Sequence, residues 1–422
     1  MHLITTCSFT RCSIHYLPPP LVPFLPLSRF SLFHSFPLSR FPPSTFSLCP
    51  AFPLSCSPRL AWSWIGVARH VMLWHGVACR DLSYNYFSNA LPLDAFAQLK
   101  QLKALNLSFN MDLTGSINVL TSLPLLQQVD LSNTQISGSI PSAISSLSRL
   151  RHLDLTLTQV SGSLPATMSQ LSALSYLSLR QVYNLRGAMS QYTWLSLLTN
   201  LHSLDITSAH KISGDLSTIS LFSSLRSLRR LTFSDMHMWG ELPVSLALLQ
   251  NLTYLDLSFL RFKQLPFWLT ALSELRYLDV THDANLRTGA VPQDLSLLSH
   301  LEFFKANGNG LVGFLPESWG SLTNLTTLSL QYNQLVGSIP RQFSSLRSLK
   351  SLNLGLNQLS GSLPDVFSTT LESLQLGGNR FQGSIPSFLG SLTLLTNLEL
   401  KSNIFTGAIP AQLTALTGVT EL

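Results

Sequence analysis

The sequence predicts an α/β solenoid, a right-handed superhelix with a parallel sheet on its concave surface and short helical or irregular segments on its convex one. Three observations carry this. An apolar unit of about 24 residues recurs to the end of the chain, leucines alternate inside each unit, and glycine and proline close it. Units begin at Leu102, Leu126, Leu150, Leu174, Leu201, Leu228, Leu252, Leu275, Leu301, Leu325, Leu349, Leu371 and Leu395. These thirteen units are followed by the opening of a fourteenth at Val419 to Leu422, with no terminal cap, as expected of a fragment.

Each element follows from the residue types. Alternating pairs such as Leu105 and Leu107, Leu328 and Leu330, or Leu352 and Leu354 belong to a short strand with one face inward. One such strand cannot bury its leucines alone, so successive strands stack in parallel around a shared core. Glycine and proline then turn the chain over the convex side, where residues such as Phe343 and Leu346 point inward again.

The second half of each unit identifies the subtype. Ile136 to Pro141, Leu335 to Pro340, Leu359 to Pro364 and Phe405 to Pro410 repeat an LxGx(I/L)P pattern followed by xxLxxL. The chain therefore resembles the plant-type leucine-rich repeats of receptor-like kinases, receptor-like proteins and polygalacturonase-inhibiting proteins over roughly residues 74–422. The resemblance implies a non-catalytic module at the cell surface or outside the cell. Its concave face would receive a protein, a peptide or a cell-wall glycan, and a co-receptor would be possible. It does not name the ligand, because such scaffolds hold many unrelated ones.

Three segments are expected: a leader over 1–60, a damaged N-terminal cap with a partial repeat over 61–101, and the repeat domain over 102–422. Residues 17–58 are of low complexity, and Pro-Leu-Ser-Arg-Phe occurs at both 26–30 and 37–41. Phe41 to Pro58 is uncharged but holds five prolines, which excludes a stable spanning helix, and Leu17 to Leu27 fails as a secretion-signal core for the same reason. The leader fits an organelle transit peptide or translated non-coding sequence, and a disordered state. Trp74 to Cys79 resembles the WxGVxC signature of the family's cap, whose cysteine pairs with one a few residues earlier. Here positions 70–78 contain none, and Cys56 is the nearest upstream candidate. Asp81 to Asn85 reads as the end of a strand whose beginning is missing.

Charged residues make up only 11% of the chain, so Ser, Thr, Asn and Gln must supply most of the wet surface. The net charge of +6 is carried entirely by six arginines among the first 80 residues, and the repeats are neutral, which removes the electrostatic basis for a nucleic-acid partner. No phosphate-binding glycine loop, kinase catalytic loop, nucleophile elbow or metal-ligand spacing occurs, so neither enzymatic activity nor a cofactor is expected.

The ninth position of each unit is Asn in the first (Asn110) and the last five (Asn309, Asn333, Asn357, Asn379, Asn403). Its amide is expected to point inward and satisfy the backbone of the turn. Units two to eight carry Thr134, Thr158, Val182, Ala209, Met236, Leu260 and Asp283 instead, and unit lengths vary there. Relaxed repeat sequence or a local change of curvature would both explain this.

The candidate ligand-binding residues lie at exposed strand positions of units seven to ten. The third-position column reads Tyr254, Tyr277, Phe303, with Asp256, Asp279 and Lys305 at the fifth position and Phe259, His282 and Tyr332 at the eighth. Neighbouring side chains in one column stand about 5 Å apart and form a ladder. Rigid aromatics with a few charges suit a binding hot spot, and could also stack on sugar rings; strand propensity alone explains them equally well. The aspartate column (Asp130, Asp154, Asp205, Asp256, Asp279) reads as solvated repeat consensus. Asn106, Asn251 and Asn324 open N-glycosylation sequons. Trp239 and Trp268 are expected to be partly exposed, and Trp319 to be core. Besides a receptor ectodomain, an intracellular adaptor in the cytoplasm and a non-functional fragment of a receptor-kinase gene fit the sequence.

Overall fold

Parallel pairing joins the inward-facing leucine segments into one sheet of fourteen three-residue strands, in chain order from Cys79–Asp81 to Asn397–Glu399. The structure, a computed structural model, describes residues 79–91, 96–262, 265–281 and 289–419. The leader, the Trp74 to Ala78 stretch, His282 and Asp283 lie outside the described residues. The thirteen units supply thirteen strands. The additional one, Cys79–Asp81, pairs with Ala104–Asn106, so the partial repeat keeps its whole strand rather than only its end.

The register repeats without slippage, pairing each third position with the next. Examples are Arg230 with Tyr254, Tyr254 with Tyr277, and Tyr277 with Phe303. Leu105, Leu107, Leu328, Leu330, Leu352 and Leu354 are all buried. Phe343 and Leu346 close the core from the convex side, as does Trp319. Trp268 is also buried, against expectation, because the turn beginning at Pro266 rolls it inward, whereas Trp239 is 51% exposed.

One feature was not visible in the pattern. The LxGx(I/L)P segment is itself extended and builds a second tier of parallel strands in sheets of five, four and five. The tier is interrupted after Leu185 and again after Phe262, within the region of irregular unit length. The convex segments are 3-10 helices. Most of them follow a proline such as Pro316 or Pro340, whose ring holds φ near the −70° and −63° found there and so sets the entry to the turn.

Asparagine ties one unit to the next. Asn333 donates Nδ2 to the carbonyls of Leu330 (2.8 Å) and of Ala306 in the preceding unit (2.9 Å). Its Oδ1 accepts the N–H groups of Asn309 (3.1 Å) and Leu311 (2.9 Å). Asn357, Asn379 and Asn403 repeat the bridge. Thr134 and Thr158 bond only within their own units, donating to Leu131 and Leu155 at 2.7 Å, and Thr134 also accepts the Ile136 N–H at 3.5 Å. Val182, Ala209, Met236 and Leu260 fill the same buried position with apolar groups and make none.

Candidate functional site

The third-position column of the concave sheet is a continuous stack. Tyr254 and Tyr277 lie with ring centroids 4.0 Å apart, Tyr277 and Phe303 4.2 Å apart, each pair within 9° of parallel. Arg230 caps one end with its guanidinium carbon 3.5 Å from the Tyr254 centroid, and Lys305 lies 4.8 Å from Phe303. Both faces of Tyr277 are therefore covered, as is the Tyr254 face toward Arg230. What the column presents to the groove is ring edges, tyrosine hydroxyls and cations. The expected stacking on sugar rings is not available on these faces, since it needs an open one. Ring edges carry partial positive charge and suit carbonyl or carboxylate oxygens. Burial pushes the Tyr277 phenol upward, and its contact with Tyr254 adds to the shift.

Next to this stack lies a depression of about 510 Å³ spanning units four to seven. Arg180, Thr207, Ser208, Arg230 and Thr232 line it with Ser234, Asp235, Tyr254, Asp256, Ser258 and Phe259. Tyr254, Asp256 and Phe259 thus meet in one place. Tyr277 and Phe303 extend the wall by stacking. Tyr332 is 59% exposed at the eighth position, three units on from Phe259.

The aspartate column does structural work. Oδ1 of Asp130, Asp154, Asp205, Asp256 and Asp279 accepts the N–H two residues on, at 2.9–3.0 Å, which fixes the turn leaving the strand. Asn106 and Asn353 do the same. Two expectations change. These aspartates are turn-formers rather than merely solvated, and Asp279 is a poor ligand contact because it is only 9% exposed. Burial raises its pKa above the usual carboxylate value, against the lowering effect of the Thr281 hydrogen bonds, and the nearby Asp256 adds to the rise.

Eighth-position residues leave this turn in the left-handed region. Phe259 and Tyr332 both have φ of 57°, a conformation that favours Gly or Asn. It throws their rings outward, and Phe259 is 47% exposed.

Reading the column for aromatics alone passed over Arg230, which precedes Tyr254 by one unit in the same column. It also passed over a second stack in units three and four, where His152 lies 4.1 Å from Tyr176 and the Tyr176 hydroxyl donates to Asp154 Oδ2 at 3.2 Å. Burial, reinforced by Asp154, raises the Tyr176 pKa to about 12. Burial lowers that of His152, opposed by Asp154 and Asp130. Thr232 gave no signal at all, since its burial is set by the larger residues around it.

Among the sequons, Asn106 is half-buried on the concave sheet with Oδ1 engaged by Ser108, at 3.0 Å from its N–H and 2.7 Å from its hydroxyl. Asn251 and Asn324 are exposed, each donating Nδ2 to a carbonyl of the preceding unit at 2.9 Å, Arg226 and Ser299 respectively. Among the described residues no helix is long and apolar enough to cross a membrane, and no group of three or more His, Cys, Asp or Glu could hold a metal ion.

Comparison with known proteins places this geometry. Family models described as a leucine-rich repeat region and a leucine rich repeat match residues 78–284 and 323–381. No curated protein matches along the sequence. Solved structures do. The ectodomain of the plant membrane receptor kinase GASSHO1/SCHENGEN3 from Arabidopsis thaliana, in complex with CASPARIAN STRIP INTEGRITY FACTOR 2, is 27% identical with a TM-score of 0.66, over 81% of this chain and 43% of that one. The PEPR1–AtPEP1 complex is 32% identical at 0.66, over 82% and 49%. The Arabidopsis receptor kinase HAESA, in complex with the peptide hormone IDA and the co-receptor SERK1, is 26% identical at 0.58, over 82% and 65%. The chain thus spans roughly half the length of these ectodomains. By its repeat motif, its sheet and these matches, the chain is a plant-type leucine-rich repeat protein.

Proposed function

We propose that the chain is a ligand-binding module whose concave face, from about unit four to unit nine, receives an extended peptide, and that it belongs to the cell-surface part of a receptor-like protein. The observation that carries this reading is the edge-on stack from Arg230 to Phe303, which presents hydroxyls, ring edges and cations to a chain rich in carbonyl oxygens. Five strand spacings of about 4.8 Å make a path of about 24 Å, the length of about seven extended residues. The likeness to receptor ectodomains solved with peptide ligands supports the peptide class, and the HAESA complex supports a co-receptor as second partner. Exposed sequons at Asn251 and Asn324 are compatible with glycosylation outside the cell.

The test is selection of a random dodecapeptide library on the full chain, followed by affinity measurement. Enriched peptides should lose about tenfold in affinity, or about 1.4 kcal/mol, when Arg230→Ala and Lys305→Ala are combined. An empty selection would refute the reading. So would enriched peptides indifferent to these changes but sensitive to Trp239→Ala on the second tier of strands.

A further inference from the structure

We propose that the depression between Arg180 and Arg230 is a subsite for the carboxylate of an internal Asp or Glu side chain on the bound peptide. This rests on, and deepens, the peptide reading given above.

Charge commitment is the first argument. Two arginines and two aspartates line the depression, but they are not equivalent. Asp235 Oδ2 accepts the Ser208 hydroxyl at 2.7 Å and lies 3.7 Å from His210 Nε2. Asp256 Oδ1 accepts the N–H and hydroxyl of Ser258 at 3.0 and 2.6 Å. Asp256 is occupied in holding its own turn, and Asp235 in tying back to Ser208 and His210 of the preceding unit. Neither arginine forms an ion pair or a side-chain hydrogen bond among the described residues. Arg230 lies over the Tyr254 ring, which covers one face of the guanidinium and leaves its N–H edge unused. A guanidinium held in this way is a preformed donor fork for a carboxylate.

Thr232 supplies the second, independent argument. It sits among the lining residues at 3% exposure, and its Oγ1 has no hydrogen-bond partner. A buried hydroxyl without a partner is destabilising, and the Thr207 hydroxyl, which also lines the depression, has partners in Asp205 and Ser234. The hydroxyl is closed to solvent, so an acceptor oxygen in the depression satisfies it through a shift of the side chains that cover it.

The surroundings narrow the ligand further. Asp235 and Asp256 would repel a dianion but leave room for one negative charge between the arginines. The groove also continues both ways, to the His152–Tyr176 stack on one side and to Tyr277 and Phe303 on the other. A peptide following it passes through the depression, which points to a side chain rather than a chain end.

The test sequences the peptide pools selected on the full wild-type chain, on an Arg180→Gln/Arg230→Gln variant and on Thr232→Val. The wild-type pool should be enriched severalfold in Asp or Glu at one position, and the double variant should lose that enrichment. For an enriched acidic peptide, replacing its Asp or Glu by the amide should cost about tenfold on the wild type and little on the double variant. Thr232→Val should raise the thermal midpoint and yet weaken the acidic peptide severalfold, a combination that a purely structural hydroxyl would not produce. Pools without an acidic position, an acidic preference that survives in the double variant, or tighter binding of a phosphoserine at that position would each overturn the subsite while leaving peptide binding intact. An empty wild-type pool would overturn both.

Discussion

Tyr277 stacks on Tyr254 with their ring centroids 4.0 Å apart, and the same ring lies 4.2 Å from Phe303 on its other side. An exposed column of aromatics would be expected to leave stability untouched when truncated. This one is packed within itself.

Tyr277→Ala should therefore destabilise the chain by about 1–2 kcal/mol, since it removes two stacking contacts at once. Tyr277→Phe should cost much less. Urea denaturation followed by near-UV circular dichroism distinguishes these outcomes, and equal stability of all three proteins would show that the stack contributes nothing.

Asp279 gives a pH-dependent expectation. Its pKa is raised in the folded state, so the folded protein holds a proton more firmly than the unfolded chain, and stability falls as pH rises from the unfolded value of 3.8 through the folded one. Asp279→Asn removes the buried charge and can keep the bond to the Thr281 N–H, as Asn106 and Asn353 show at the same position. The variant should be more stable than the wild type at pH 7, with the difference shrinking toward pH 3. A constant difference across that range would exclude titration of Asp279 as the cause.

Asn333→Ala should cost about 3 kcal/mol, because it leaves the N–H groups of Asn309 and Leu311 and the Ala306 carbonyl without their buried partner. By the same logic, amide exchange should be slowest in units nine to thirteen, where consecutive asparagine bridges run, and faster around Val182, Ala209 and Met236. Uniform protection along the sheet would refute this.

Phe259 combines φ of 57° with 47% exposure. Asn133 occupies the equivalent position of unit two at φ of 56°, so Phe259→Asn should be tolerated and should stabilise by up to about 1 kcal/mol. Peptide affinity should fall at the same time. A variant that loses stability would identify Phe259 as a packing residue.

The leucine core, the inward asparagines and the aromatic column were legible in the sequence because each is a property of one repeat position read down the chain, whereas the bond from each asparagine to the preceding unit appears only in three dimensions. The second tier of strands was not, since Gly138 and Gly337 conceal extended backbone within a segment that reads as a turn. A column also tells which side chains are neighbours but not the orientation of their planes. The closed faces of Tyr254 and Tyr277, and with them the exclusion of sugar stacking there, appear only in three dimensions. Arg180, Arg230 and Thr232 come from the third, fifth and seventh positions of two different units, and no single column joins them.

The most direct test of the concave site is cross-linking of an enriched peptide, carrying a benzophenone at successive positions, to the full chain. Adducts should map to residues around Arg180, Arg230, Tyr254, Phe259, Tyr277 and Phe303. Adducts concentrated on the exposed rings of the second tier of strands, Trp239 and Phe314, would contradict it.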